Sequence, residues 1–195
     1  MNKINYDQTF CELVKNFMDR PKLLLHSCCA PCSSAVIERI KDIFDLTVYY
    51  YNPNIDTDEE YQKRRQEQIA LCNKLGVAVI SEEHDARDFL TAVKGFEDQI
   101  EGGARCDICF YLRLKKTAEK AEEIGAKYFM TTLTVSPKKN AKKVNDAGER
   151  ASGKVEYIPS DFKKKEGYKR SIELSKRYGL YRQNYCGCKF SKGEK

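Results

Sequence analysis

Seven of the nine cysteines in this chain fall into three compact groups. Cys28, Cys29 and Cys32 follow directly on the apolar run Leu23-Leu24-Leu25. Cys106 and Cys109 stand at i, i+3, and Cys186 and Cys188 flank a single glycine, Gly187. A turn alone would use Gly, Asn or Ser, so thiols at this density point to metal or redox chemistry. Four cysteine thiolates are the usual ligands of an iron–sulfur cluster. They also suit a closed structural zinc site, for which Cys106, Cys109, Cys186 and Cys188 would serve; that assignment leaves the first group unexplained. Metal-free thiols are the third alternative, and spacing does not choose among the three.

The tail pair is of a different kind. With one Gly between them, Cys186 and Cys188 can approach disulfide geometry, and so tight a ring is strained and easily reduced. This fits a redox shuttle or an active-site thiol; the plainer alternative is half of a zinc site. Cys72, sharing a helix face with Ile69 and Leu75, and Cys11, in register with Val14 and Met18, are expected to be inert core residues. His26 is expected to pack rather than ligate. Glu82, Glu83, His84 and Asp85 read as an exposed turn.

Positioning these groups requires a particular set of elements. Apolar residues at helical spacing predict an opening helix over 8–19. Strands are expected at 22–27, 46–51 and 77–80, with helices near 33–43 and from Asp58 to Leu75, the latter stopped by Gly76. A further helix–glycine–strand unit runs from Asp107 through Gly125 into 126–132. Residues 134–153 read as a long polar loop with room for a short helix, 154–158 as a fifth strand, and 167–178 as a last helix closed by Gly179. Strands alternating with helices imply a doubly wound parallel α/β sheet of about five strands. A C-terminal helix and a cysteine-bearing tail complete a single domain over residues 1–195.

In such a sheet, strand C-termini and helix N-termini share one edge, where ligands bind. Cys28 and Cys29 leave the first strand at that edge. Cys106 and Cys109 begin the helix before the fourth strand, both sulfurs on one helix face, with the helix dipole favouring thiolates. The last helix carries the chain about 16 Å from that edge. The seven residues from Gly179 to Cys186 span up to about 23 Å when extended, enough to bring Cys186 and Cys188 back.

An apolar fraction of 41% and a charged fraction of 33% fit a globular protein. No apolar run approaches a bilayer span, and the first residues lack a signal-peptide core, so a cytoplasmic location and no membrane partner are expected. There, clustered thiols favour metal ligation or catalysis over structural disulfides. The net charge of +6 is unevenly spread. Residues 81–101 carry seven acidic side chains against Arg87 and Lys94, a balance of −5. Residues 163–189 carry nine basic ones against Glu166 and Glu173, a balance of +7. A basic stretch beside a thiol pair suggests a polyanionic partner such as nucleic acid; the alternative is a solvated helix face.

Longer motifs carry a family likeness. Leu23-Leu24-Leu25-His26-Ser27-Cys28-Cys29-Ala30-Pro31-Cys32-Ser33, Tyr51-Asn52-Pro53-Asn54-Ile55, Glu101-Gly102-Gly103-Ala104-Arg105-Cys106-Asp107-Ile108-Cys109-Phe110 and Tyr181-Arg182-Gln183-Asn184-Tyr185-Cys186-Gly187-Cys188 closely resemble the QueH family, the cobalamin-independent epoxyqueuosine reductases. So do Thr131-Thr132-Leu133-Thr134-Val135-Ser136-Pro137-Lys138-Lys139-Asn140 and Asp161-Phe162-Lys163-Lys164-Lys165. The likeness covers essentially the whole chain after the first helix.

The resemblance implies reductive removal of the epoxide oxygen of epoxyqueuosine at the wobble position of tRNA, giving queuosine. It implies a 4Fe–4S cluster held by Cys28, Cys29, Cys106 and Cys109, and a redox-active disulfide between Cys186 and Cys188. It also implies a second metal ion, iron, beside the cluster, with Cys32 and Asp107 the nearest candidate ligands by sequence. The fold also resembles that of the ATP-pyrophosphatase (HUP-like) tRNA-modifying enzymes, whose first strand runs into a Ser-Gly-Gly-x-Asp-Ser phosphate loop. Ser27–Ser33 takes that place here, and its cysteines and proline remove the glycine cradle that lets a backbone approach phosphates. The expected partners are tRNA and an external electron donor. Lys163, Lys164, Lys165 and Arg182 are candidates to hold phosphates, Tyr181 and Tyr185 to stack a base, and Asn52 to meet the substrate. Two rivals stand beside this reading: an ATP-dependent tRNA thiolase carrying sulfur on its cysteines, and a zinc-stabilised RNA-binding module. The missing glycine loop argues against the first.

Overall fold

The run Leu23-Leu24-Leu25 is buried because it belongs to β1 (Lys22–His26), the central strand of a sheet covered by helices on both faces. The computed structural model describes residues 4–191. The other strands are β2 (Asp45–Tyr50), β3 (Ala78–Ser81), β4 (Tyr128–Thr131) and β5 (Glu156–Tyr157), all parallel in the order β3–β2–β1–β4–β5. The helices are α1 (Tyr6–Val14), α2 (Ala30–Ile40), α3 (Asp58–Leu75), α4 (Arg87–Ala92), α5 (Ala104–Glu123), α6 (Ala141–Ala151) and α7 (Gly167–Tyr178). Successive β1 side chains serve opposite faces, as a pleated strand requires. Leu23 and Leu25 pack with Val36, Ile37 and Phe44, whereas Leu24 packs with Phe110, Leu114 and Phe129. This is a doubly wound, HUP-like α/β fold. Connections leave β1 toward β2 and β3 on one side and return through β4 to β5 on the other, so the topological switch point lies between the C-terminal ends of β1 and β4.

His26 ties that end together. Its Nδ1 lies 2.9 Å from Thr131 Oγ1 and its Nε2 3.1 Å from the Tyr51 carbonyl. Burial, with Arg113 nearby, holds its pKa down at about 3, so the ring is neutral and structural.

Several boundaries differ from the sequence expectation for identifiable reasons. α2 begins at Ala30 rather than near 33, because Pro31 suits a first helical turn and Cys29 caps it in extended conformation. α1 ends at Val14, which leaves Met18 solvent-exposed and out of register with Cys11. The expected polar loop at 134–153 contains α6, an eleven-residue helix capped by Asn140, whose side chain accepts from the Lys142 and Lys143 amides. Its buried face is built from small residues (Ala147, Gly148, Ala151) around Val144, with Gly148 directly against the Tyr157 ring. α4 was not expected at all. His84 is half-buried rather than on an exposed turn, 2.8 Å from the Ile55 carbonyl and stacked on Tyr61. Among the described residues no helix is long and apolar enough to cross a membrane.

Candidate metal centre

The chain leaving β1 is fixed by neutral hydrogen bonds before it reaches the first thiols. The Ser27 and Ser33 hydroxyls, 2.7 Å apart, converge on Gln68 Oε1 from α3. Asn52 Nδ2 donates to the Ser27 carbonyl at 2.8 Å, and the Cys28 amide donates to Thr132 Oγ1 at 3.2 Å. The Sγ atoms of Cys28, Cys29 and Cys32 lie within 4.8 Å of one another. Hydrogen bonds from Cys29 and Cys32, aided by Lys139 and by Thr132, hold the Cys28 thiol well below its ordinary range. The same bonds push Cys29 up to about 12 and raise Cys32. Within the triad, Cys28 is thus the sulfur that gives up its proton most readily.

The second group sits on the first turns of α5. Cys106 Sγ accepts the Gly102 amide at 3.2 Å. The helix N-terminus was expected to favour thiolates here, but burial outweighs it, raising Cys106 and pushing Cys109 up to about 11. One turn further, Arg113 is buried at 4% exposure; its Nε donates to the Cys109 carbonyl (3.2 Å) and its Nη1 to Asn52 Oδ1 (3.4 Å).

The tail returns to the same edge. After Gly179 ends α7, the Tyr181 amide donates to Glu67, and Lys63 lies 3.6 Å above the Tyr181 ring. Arg64 Nη1 donates to the Cys186 carbonyl at 3.3 Å, and the Asp56 amide donates to the Gly187 carbonyl at 2.9 Å. Gly187 has φ +104, and a Cβ there would lie 3.0 Å from Ile55 Cγ1 and 3.1 Å from Arg64 Nη1. Glycine is therefore required between the two cysteines on grounds of both conformation and space. A hydrogen bond from Cys188, with Lys139 and Ser191 assisting, lowers the Cys186 thiol well below its usual range; that same bond raises Cys188.

These segments enclose two adjoining cavities. Cys28, Cys29, Cys32 and Cys186 line one, and Cys106, Cys109, Cys186 and Cys188 line the other. Cys186, Arg113, Lys138, Lys139 and Glu101 form their shared wall. All three thiol groups therefore meet at the β1/β4 switch point, and Cys72 and Cys11 stay outside it, Cys72 fully buried and Cys11 half-buried. Arg182, Tyr185 and Tyr168 border the triad cavity.

Other candidates lie elsewhere. Asn52 is buried and turned to Ser27 and Arg113, so it lies on neither wall. Tyr181 is also off both walls. Lys163 Nζ donates to the Thr134 and Lys139 carbonyls, while Lys164 and Lys165 border a separate hollow between α2 and α7. Asp107 Oδ2 pairs with Lys143 at 3.0 Å, and its Oδ1 is buried without a hydrogen-bond partner. Sequence reasoning missed Arg113 and Arg64. Arg113 was detectable, lying four residues after Cys109 on the same helical face; Arg64 meets the tail only through the fold.

A doubly wound HUP-like protein whose phosphate-loop position carries thiols is the class that fold and site define. A family model described as epoxyqueuosine reductase QueH matches residues 23–194. The chain is 41% identical over 200 residues to the epoxyqueuosine reductase QueH of Streptococcus pyogenes serotype M1, covering 97% of this chain and 78% of that protein. The protein of the same name from Staphylococcus epidermidis is 43% identical, with 97% of this chain and 85% of the relative covered. That from Thermotoga maritima is 37% identical over 87% and 89% respectively. The chain belongs to the QueH family, and it is an oxidoreductase.

Proposed function

We propose that this chain reduces epoxyqueuosine in tRNA to queuosine at the thiol-lined switch point. The observation that carries the reading is the meeting of seven cysteines, from three distant segments, on two adjoining cavities. The donor set fits a thiolate-held iron–sulfur cluster: the sulfurs of Cys28, Cys29 and Cys32 lie within 4.8 Å of one another, Cys106 and Cys109 line the adjoining cavity, cations share the wall between, and no imidazole competes, since His26 is occupied on both nitrogens. Cys28, Cys29, Cys106 and Cys109 are the ligands assigned to a 4Fe–4S cluster. Cys32, on the triad wall, and Asp107, with its unpartnered Oδ1, are the candidates for a second metal, iron. When bound, these groups supply one-electron transfer and a Lewis-acidic site.

The chain's own residues do the rest. Breaking both C–O bonds of the epoxide to leave an alkene takes two electrons and two protons, and releases water. Oxidation of the Cys186 thiolate and Cys188 thiol to a disulfide yields two electrons and one proton, solvent supplies the second proton, and an external reductant restores the pair. The lowered Cys186 thiol and raised Cys188 thiol suit that exchange, because one sulfur is ready as thiolate while its neighbour holds the proton. Arg182 at the cavity rim is positioned for a phosphate and Tyr185 for a base. Tyr181, with one face under Lys63, and the Lys163–Lys165 run offer secondary contacts to the polymer.

Anaerobic purification with an absorption spectrum, iron and sulfide analysis and single-turnover assay on epoxyqueuosine-bearing tRNA tests the reading. Iron and sulfide with conversion to queuosine are expected. A colourless zinc protein without turnover would overturn it.

A further inference from the structure

Burying a charge is costly unless an opposite charge comes with it. α3 obeys this rule: Arg64, at 1% exposure, is paired with Glu60 at 2.6 Å. Arg113 does not. Its guanidinium stays charged at any accessible pH, yet its hydrogen bonds go to two neutral oxygens, the Cys109 carbonyl and Asn52 Oδ1. Among the described residues no carboxylate pairs with it. The ionisable groups that act on it are the sulfurs of Cys109, Cys28, Cys186 and Cys106, drawn from all three cysteine groups, while Glu101 shares its wall without forming an ion pair with it. Arg113 also lines both cavities. Lys139 shares that wall and faces the Cys186, Cys28 and Cys32 sulfurs, but the residue is half-buried where Arg113 is 4% exposed. Arg113 is held in place from behind, by Asn52, which itself grips the β1 exit through the Ser27 carbonyl.

We propose that Arg113 is the built-in counter-charge of the thiolate centre: a positioning residue, aimed by Asn52, that favours the more negative, reduced state of the bound metal group and raises its reduction potential. The proposal rests on the reading that these cysteines hold an iron–sulfur cluster. Reduction adds one negative charge, and a fixed cation in a poorly solvated wall stabilises the product of that step more than the reactant. The inference also gives Asn52 its role, as the group that orients the guanidinium.

The test uses the full chain, reconstituted anaerobically, as wild type, Arg113→Lys, Arg113→Gln and Asn52→Leu. Iron and sulfide per chain are counted, and the midpoint potential is read by dye-mediated titration. Arg113→Gln is expected to shift the potential to a more negative value, Arg113→Lys to restore most of it, and Asn52→Leu to give a smaller shift in the same direction. An unmoved potential in Arg113→Gln at full iron content overturns the proposal, as does Arg113→Lys behaving like Arg113→Gln. Should Arg113→Gln fail to hold iron, Asn52→Leu decides, and an unmoved potential there overturns it. Weaker, less salt-dependent tRNA binding with no change in potential would assign Arg113 to a phosphate instead. A wild-type chain that takes up no iron and sulfide removes the underlying reading, and the proposal with it.

Discussion

Two regions of this molecule are rich in cations, and they use them differently. At the corner formed by α1, α2 and α7, charges are matched. Arg39 pairs with Asp7 at 2.6 Å, Arg170 with Glu38 and Glu173, and Lys165 with Asp7 at 3.7 Å. Lys163 is paired with Asp161 and spends its remaining donors on two carbonyls. At the switch point Arg113 and Lys139 face thiols and have no carboxylate partner among the described residues. Local charge density in the sequence marks the first region; charge left over for chemistry marks the second. A cation that already has its anion stabilises a fold, whereas one facing a cavity is available to a ligand.

The comparison can be broken most sharply at the thiols. Cys28→Ala is expected to reduce iron and sulfide to background, whereas Cys72→Ala, buried and lining neither cavity, keeps both; full retention in Cys28→Ala would end the special status of the basin. Next in size is Gly187→Ala, whose side chain meets Ile55 and Arg64 at φ +104. It should keep its iron, lose roughly 1–3 kcal/mol of stability, and lose turnover at least tenfold, read by single-turnover assay and urea unfolding. Lys163→Met should cost about 1–3 kcal/mol in urea unfolding, because two carbonyls and Asp161 lose their partner; Lys164→Ala should cost next to nothing. The smallest effect is in binding: Arg182→Ala should flatten the salt dependence of tRNA affinity by about one unit of slope. Lys165→Ala should do less, because that lysine is already engaged by Asp7. Equal slopes for these two variants would erase the distinction between the regions.

Local patterning made much of this legible. α3 runs from Asp58 to Leu75 with Gly76 left-handed at φ +66, and α7 spans 167–178, both as the sequence predicts. The shared edge of strand ends and helix starts explains why Cys28 and Cys29 line one cavity and Cys106 and Cys109 the next. α6 was hidden because its packing face is Ala and Gly, which carry no hydrophobic period; it is helical through its contact with α5 and Tyr157. At Lys163–Lys165 sequence shows the number of charges and not their partners, which the fold supplies as Asp161 for Lys163 and Asp7 for Lys165. Asn52, expected at the substrate, is instead turned inward, a fact set by strands that neighbour each other only in space.

The wall at Cys186 also imposes an order of events. Every strand of the sheet precedes Cys186 in the chain, and chains are made N-terminal end first at about 5–20 residues per second. Cys28 therefore waits roughly 8–30 s for the tail. Until then the wall that Cys186 supplies to both cavities is missing, so neither can close before the tail is made.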